Sequence, residues 1–177
     1  MACTLLTGRK IPCKSAFGGI KTVLFGDFGT ISAITQDATT KQLTAITATT
    51  TWYQYDVKGP SSLETTVTSS RDNGTTFYTQ TLNMTLTFLD AKTQAELQVL
   101  AVGRPYVADY YGNTFLCGYE NGMELTSGSS VSGAAAGDLS GFTMVFEGME
   151  EAAPYFVDSG VIVGDAAQID PTLTAPW

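Results

Sequence analysis

The chain has 177 residues and a mass of 18.8 kDa, the size of one domain with a substantial core. Hydrophobic residues make up 44% of it, which excludes a disordered chain. It has no histidine, which excludes His-dependent catalytic triads and His metal ligands, and its formal net charge of −8 disfavours a dedicated nucleic-acid binder.

The charges are distributed unevenly along the chain. All nine Lys and Arg residues lie in residues 1–104 together with seven acids, so this part has a net charge of 9 − 7 = +2. Residues 105–177 contain ten acids and no base, a net charge of −10. One interpretation is an acidic surface that keeps the protein soluble. The other is a surface of one sign, built against an anionic partner or for head-to-tail assembly.

The first part of the chain favours strands, because its threonines alternate with apolar residues and the whole chain contains 27 threonines. Residues 1–19 contain Pro12 and Gly18-Gly19 and carry three bases without an acid, so we predict an extended N-terminal arm. Short strands are predicted over 20–28, 30–35, 42–48 and 52–57.

Residues 61–89 predict a long hairpin. Polar and apolar residues alternate on both sides of Arg71-Asp72-Asn73-Gly74, whose Asn-Gly pair favours a tight turn. The alternation changes phase between Thr79 and Leu82, which predicts a bulge or a bend.

A single helix is predicted over 90–102. Asp90 is a suitable N-cap, and Gly103 a suitable residue to end the helix. Ala95, Val99 and Val102 recur at helical spacing, and Leu97, Leu100 and Ala101 lie beside them, so we expect the helix to cover one face of a sheet.

The last part of the chain predicts a β-meander, a loop and a tail. Strands are predicted over 106–110, 114–119, 123–126 and 142–147, with weaker ones over 155–157 and 161–163. Residues 127–141 are rich in Gly, Ser and Ala and predict a mobile loop, and residues 165–177 predict an extended tail.

No pattern in the sequence indicates catalysis, and we expect no catalytic residue, no cofactor and no metal. The Gly133–Gly137 segment lacks the Lys-Ser/Thr of a phosphate loop, and Glu150-Glu151 cannot flank one bond from an extended segment. The three cysteines fit neither a disulfide framework nor a zinc motif, so inert thiols in a reducing cytoplasm are expected. We find neither a signal peptide nor an apolar run of membrane-spanning length.

A group of aromatic residues leaves two interpretations open. Side chains of this kind can stack on sugars or bases, or they can form cross-strand pairs within a β-rich fold. The residues are Tyr106, Tyr110, Tyr111, Phe115 and Tyr119.

Residues 81–146 carry a resemblance to a known family. The order is a strand, a capped helix with Ala-Glu-Leu-Gln-Val-Leu-Ala (95–101), Gly-Arg (103–104), a Tyr-Gly-Asn turn, Phe-Leu-Cys-Gly (115–118) and Gly-Phe-Thr-Met-Val-Phe-Glu-Gly (141–148). Together with Ala-Cys-Thr-Leu-Leu-Thr-Gly-Arg (2–9), this resembles the major tail tube proteins, and related tube-like virion proteins, of tailed bacteriophages.

The resemblance implies a mainly β protein with one domain over 1–177: an antiparallel β-sandwich or barrel of the tail-tube type with one flanking helix. In this family six subunits form a ring, adjacent inner sheets join into a β-lined channel, and rings stack through arms, loops and a long hairpin. It implies a structural protein rather than an enzyme, located in the virion tail after synthesis in the host cytoplasm. Its partners would be itself, other virion proteins and passing DNA that is not bound specifically, with no membrane.

From this resemblance we predict two sets of functional residues. The inter-subunit set is Arg9, Lys10, Lys14, Arg71, Asn73 and Trp177. The lumen-facing acids are Asp109, Glu120, Glu124 and Glu147. The unequal charges also suggest that the basic N-terminal arm contacts the acidic part of a neighbouring ring.

Two alternatives belong to other classes of protein. One is another virion component with a related fold, such as a head-decoration, connector or cargo-type protein. The other is a carbohydrate-binding β-sandwich that uses the aromatic residues.

Overall fold

The computed structural model describes residues 18–49, 51–57, 60–100, 106–110, 113–158 and 161, with the backbone alone for 100 and 106–110. Most of the predicted N-terminal arm and the whole predicted C-terminal tail lie outside the described residues. Within them the chain forms eleven strands and one helix.

The strands and the helix follow one another as predicted, with somewhat different bounds. They are β1 (Thr22–Phe25), β2 (Ile31–Gln36), β3 (Leu43–Ala48), β4 (Tyr53–Asp56), β5 (Ser62–Ser70), β6 (Thr75–Thr87), α1 (Ala91–Leu100), β7 (Tyr106–Tyr110), β8 (Asn113–Cys117), β9 (Glu124–Val131), β10 (Gly141–Glu150) and β11 (Tyr155–Val157). Val161 lies outside the strands, and 162–163 lie outside the described residues.

The strands form two sheets. The larger sheet has seven strands in the order β2-β3-β11-β8-β7-β1-β4. Its only parallel pairing in the described chain joins β11 to β3 through Val157 and Leu43. The smaller sheet has the order β5-β6-β10-β9, and all of its pairings are antiparallel. The prediction of a mainly β, sandwich-like protein with a flanking helix is therefore confirmed.

The two sheets pack on each other through a shared hydrophobic core. Val23 and Phe25 of β1 contact the core side of the smaller sheet, where Leu82, Met84 and Phe146 are almost fully buried. The Phe25 and Phe146 rings lie 5.6 Å apart. Because alternate residues of a strand point to opposite faces, Leu24 enters a second cluster on the far side of the larger sheet. That cluster also contains Leu43, Trp52, Leu116 and Val157.

Helix α1 begins where it was predicted, but it packs through Leu97, beside the predicted stripe of Ala95, Val99 and Val102. The Asp90 carboxylate accepts hydrogen bonds from the backbone N–H groups of Lys92 and Thr93, at 3.1 and 3.2 Å, which confirms the N-cap. Leu97 packs against the core, whereas Val99 is 58% exposed, so the predicted buried stripe is wrong. Helical spacing identifies a set of aligned positions, but the sheet contacts decide which set is buried. The end predicted at 102 lies outside the described residues.

The long hairpin of β5 and β6 is confirmed, with two differences in detail. Its turn has four residues, Arg71–Gly74, and within it only Gly74 has a positive φ, of 65°. The bulge predicted between Thr79 and Leu82 is wrong, because β6 pairs with both neighbours without a register shift. The end of the hairpin extends past the partner strand β10, so apolar residues near the turn need not face the core.

The loop predicted over 127–141 is partly wrong. Its first residues continue β9 to Val131, and they pair with β10 through backbone hydrogen bonds. Side chains such as Ser129 and Ser130 gave no strand pattern because this edge of the sheet is exposed. The pairing of β9 with β10 shifts by one residue, because Val145 lies opposite Ser127 and Phe146 lies opposite Leu125. The irregularity of the smaller sheet therefore lies in β9 and not in β6.

Candidate functional site: the outer face and edges of the smaller sheet

A row of carboxylates crosses the outer face of the smaller sheet. Glu64 of β5 lies opposite Thr81 of β6, Thr81 lies opposite Glu147 of β10, and Glu147 lies opposite Glu124 of β9. Directly opposed residues share a face, so the three carboxylates point away from the core. Neighbouring strands are about 4.8 Å apart, which places Glu147 and Glu124 side by side and Glu64 about 10 Å away.

The rest of this outer face is covered largely by hydroxyl groups. The Ser129 and Thr143 hydroxyl oxygens are 2.6 Å apart, and the Asn83 side-chain amide donates a hydrogen bond to the Ser62 hydroxyl at 3.3 Å. The four strands of this sheet contain no Lys or Arg. Apart from the exposed side chains of Met149 and Val131, the face is therefore polar and negative, without a cation from its own strands to hold a phosphate.

Both edges of the smaller sheet are long and open in the described part of the chain. Strands β5 and β9 each have one hydrogen-bonded neighbour there. Native sheets usually guard such edges with Pro, Lys or a covering segment. Neither strand contains Pro or Lys, although β9 is interrupted by its register shift. The two edges also run in opposite directions, because three antiparallel pairings separate them.

Two buried polar side chains hold the turn that leads into β9. The Gln80 side chain, which is 2% exposed, accepts a hydrogen bond from the Gly118 N–H at 3.0 Å and donates one to the Ala152 carbonyl at 3.2 Å. The Glu150 carboxylate accepts hydrogen bonds from the backbone N–H groups of Glu120 and Asn121, at 3.1 and 2.8 Å. The start of the β9 edge is thus fixed from inside the fold.

Glu150 is the buried acid of this region, at 5% exposure. Loss of hydration raises the pKa of its carboxyl, and the charge of Glu120 acts in the same direction. The hydrogen bonds from the turn oppose this shift but do not outweigh it. Burial likewise raises the pKa of the Cys117 thiol, which keeps that sulfur protonated and poorly nucleophilic.

The structure describes two of the six predicted inter-subunit residues. Arg71 and Asn73 are exposed in the hairpin turn, where the Asn73 N–H donates a hydrogen bond to the Ser70 hydroxyl at 3.3 Å. The other four, Arg9, Lys10, Lys14 and Trp177, lie outside the described residues.

The four predicted lumen-facing acids do not form one group. Glu124 and Glu147 lie together on the outer face of the smaller sheet. Glu120 is exposed in the turn before β9, and Asp109 belongs to β7 of the larger sheet, opposite Thr22 and Thr114. The sequence analysis did not include Glu64 among the lumen-facing acids. The alternation of residues along β5 places Glu64 on the same face as Thr66, and the hairpin register places it opposite Thr81. Pairing of distant strands was needed to place it beside the other two acids.

The aromatic residues described by the structure contact other rings. Phe115 and Phe156 have ring centroids 4.6 Å apart, and Tyr119 and Tyr155 are 6.2 Å apart in an edge-on arrangement. These contacts favour the cross-strand interpretation for Phe115 and Tyr119. The side chains of Tyr106 and Tyr110, and all of Tyr111, lie outside the description.

The described residues contain neither a metal-binding cluster nor a helix that could span a membrane. None of their His, Cys, Asp and Glu side chains forms a group of three or more that could hold a metal ion. Their helix, α1, has ten residues and falls short of the length and apolar character that crossing a bilayer requires.

Comparisons with known proteins identify no relative: no protein-family model, curated protein or solved structure matches the chain.

Proposed function

We propose that this protein is a self-assembling tube subunit of the phage tail-tube type. The observation that carries the proposal is the smaller sheet itself, which combines an acidic, hydroxyl-covered outer face with two open edges of opposite direction. A sheet of this kind is expected to associate through its edges unless it is closed into a ring.

In the proposed ring, β9 of one copy lies beside β5 of the next. Rotation about a ring axis keeps the direction of each strand along the axis, so these two edges meet antiparallel. The alternation of strand directions then continues from copy to copy, and a closed ring, hexameric as in the proteins that the sequence resembles, has no free edge.

The outer face of the smaller sheet lines the channel in this proposal. DNA carries one negative charge per about 1.7 Å of helix, so a wall bearing Glu64, Glu124 and Glu147 repels its phosphates. Threonine and serine hydroxyls keep the wall hydrated. DNA then passes without being held, and stacked rings in the virion tail, in contact with other virion proteins, form the conduit.

Electron microscopy of the purified full chain tests the proposal. We expect tubes, or stacked rings, with a central channel. Single rings that do not stack would favour a head-decoration or connector protein of related fold. A protein that stays monomeric at all concentrations, or binds glycans as a monomer, would contradict the proposal.

A further inference from the structure

An apolar groove opens beside the β9 edge, on the core side of the smaller sheet. Helix α1 forms one wall through Leu97, and β9 forms the other through Leu125 and Gly128, with Phe142 and Met144 also lining it. The groove has a volume of about 400 Å³. It lies next to a strand edge that has no neighbour in the described chain.

The opposite edge of the same sheet carries an exposed apolar side chain. Val67 of β5 is 61% exposed and lies opposite Tyr78, in the same alternating set as the buried Gln80 and Leu82. It therefore projects on the core side of the sheet. However, it lies level with Glu150, at the end of β10, where its own copy provides little cover.

We propose that Val67 of one copy fills the groove over Gly128 of the next copy. This inference rests on the proposed ring, because it assumes that β5 pairs with β9 of a second copy. In a continuous sheet the core-side residues of both strands stay on one side, so Val67 and Gly128 share a face. Glycine leaves room for the valine at the point where they face each other.

The offset between the two edges agrees with the geometry of a closed barrel. Without an offset, the edges overlap only at Ser62–Glu64, because β5 extends toward the hairpin turn and β9 away from it. An offset of about six residues over four strands brings the whole of β9 beside Glu64–Ser70 of β5 and corresponds to a strand tilt of about 45°. It places Val67 opposite Gly128.

The same offset separates the acids across the joint. Without it, Glu64 would lie directly opposite Glu124 of the next copy, and like charges in that position destabilise a sheet. With it, Glu64 lies opposite Val131 and Glu124 opposite Ser70. The channel-facing side therefore also favours the offset arrangement.

Disulfide cross-linking in the full chain tests the inference. One protein carries Val67→Cys and a second carries Gly128→Cys, both with Cys3 and Cys13 changed to Ser. A Cβ at Gly128 finds its nearest atom 3.7 Å away, so the cysteine fits without strain. We expect the mixture, but neither protein alone, to form a covalent dimer on mild oxidation. Thr68→Cys is the control, because its side chain lies on the opposite face.

A second variant measures the contribution of the contact to assembly. Val67→Asp alters an exposed side chain and leaves the monomer folded, and we expect it to raise the concentration needed for assembly at least tenfold. Val99→Asp, at a similarly exposed site on α1, is the matched control and should assemble like the unmodified protein.

The outcomes separate this inference from the proposed function. Channelled rings in which Thr68→Cys cross-links and Val67→Cys does not would overturn the Val67 contact and leave the ring proposal intact. Cross-linked Val67 and Gly128 in particles without a channel would support the contact and overturn the tube. A chain that neither cross-links nor associates overturns both.

Discussion

At the scale of single residues, the buried polar side chains determine how precisely the β9 edge is placed. Gln80 supplies an acceptor to Gly118 and a donor to Ala152, and Glu150 accepts from the turn between β8 and β9. Gly148 belongs to the same arrangement, because a Cβ there would lie 2.6 Å from the Gly122 carbonyl oxygen. This turn therefore depends on side chains that a strand pattern does not distinguish from ordinary core positions.

We expect Gln80→Met to lower the free energy of unfolding by about 1–3 kcal/mol, because the buried Gly118 N–H loses its acceptor. Thr81→Val, at the next position on the outer face, is the control and should have a much smaller effect. Urea denaturation measures both. Equal stabilities for Gln80→Met and the unmodified protein would contradict the role given to this side chain.

The Glu150 carboxyl gives a pH dependence with a definite sign. Its pKa is raised in the folded protein above the ordinary value of 4.5, so at intermediate pH the folded state binds more protons than the unfolded state. The resulting stabilisation is complete below pH 4.5 and is lost as the pH rises through the folded pKa. The stability of the unmodified protein relative to Glu150→Gln should therefore increase on acidification from pH 7. Urea denaturation at several pH values measures this difference in stability. A difference that stays constant or decreases as the pH falls would show that the turn hydrogen bonds dominate instead.

At the scale of elements, the position of the hairpin turn was predicted from the sequence, whereas the length of the hairpin beyond β10 was not. The sequence located its turn correctly, but it favoured a tight Asn-Gly pair where the structure has four turn residues. Gly74 has a φ of 65° with open space around it, so its role there is conformational instead of steric. The length of the hairpin beyond β10 follows only from the strand pairings.

Gly74→Ala should lower the free energy of unfolding by about 1 kcal/mol, because alanine disfavours the left-handed backbone that this turn requires. Gly137→Ala is the matched control, since Gly137 also has open space around it but no positive φ. Thermal denaturation of the two variants compares them directly. A Gly74→Ala protein as stable as Gly137→Ala would contradict the conformational role.

At the scale of the whole molecule, the division of the sequence into a basic first part and an acidic second part is only partly reflected in the folded structure. The carboxylate row draws Glu64 from the first part of the chain and Glu124 and Glu147 from the second, so the acidic face does not follow the division in sequence. The hypothesis that the bases of the N-terminal arm contact the acidic part of a neighbouring ring stays a prediction.

We expect simultaneous Arg9→Glu, Lys10→Glu and Lys14→Glu substitutions to reduce tube formation strongly, because attraction between rings becomes repulsion. A variant with Lys41, Lys58 and Lys92 changed to Glu has the same net charge and serves as the control. Light scattering and electron microscopy at several salt concentrations measure assembly. If the first variant forms as many tubes as the unmodified protein, the stacking hypothesis is contradicted.

Local alternation and capping patterns were sufficient to predict the mainly β class, most of the strands, the start of the helix with its Asp90 cap, and the long hairpin. The strand pairings and sheet contacts were needed to show that Asp109 lies in a different sheet from Glu124 and Glu147, that Glu64 lies on the same face as these two, and that Leu97, not Val99, packs against the core. The physical reason is that alternation fixes which residues of one strand share a face, but not which distant strand pairs with it. The carboxylate row and both open edges arise from those long-range pairings.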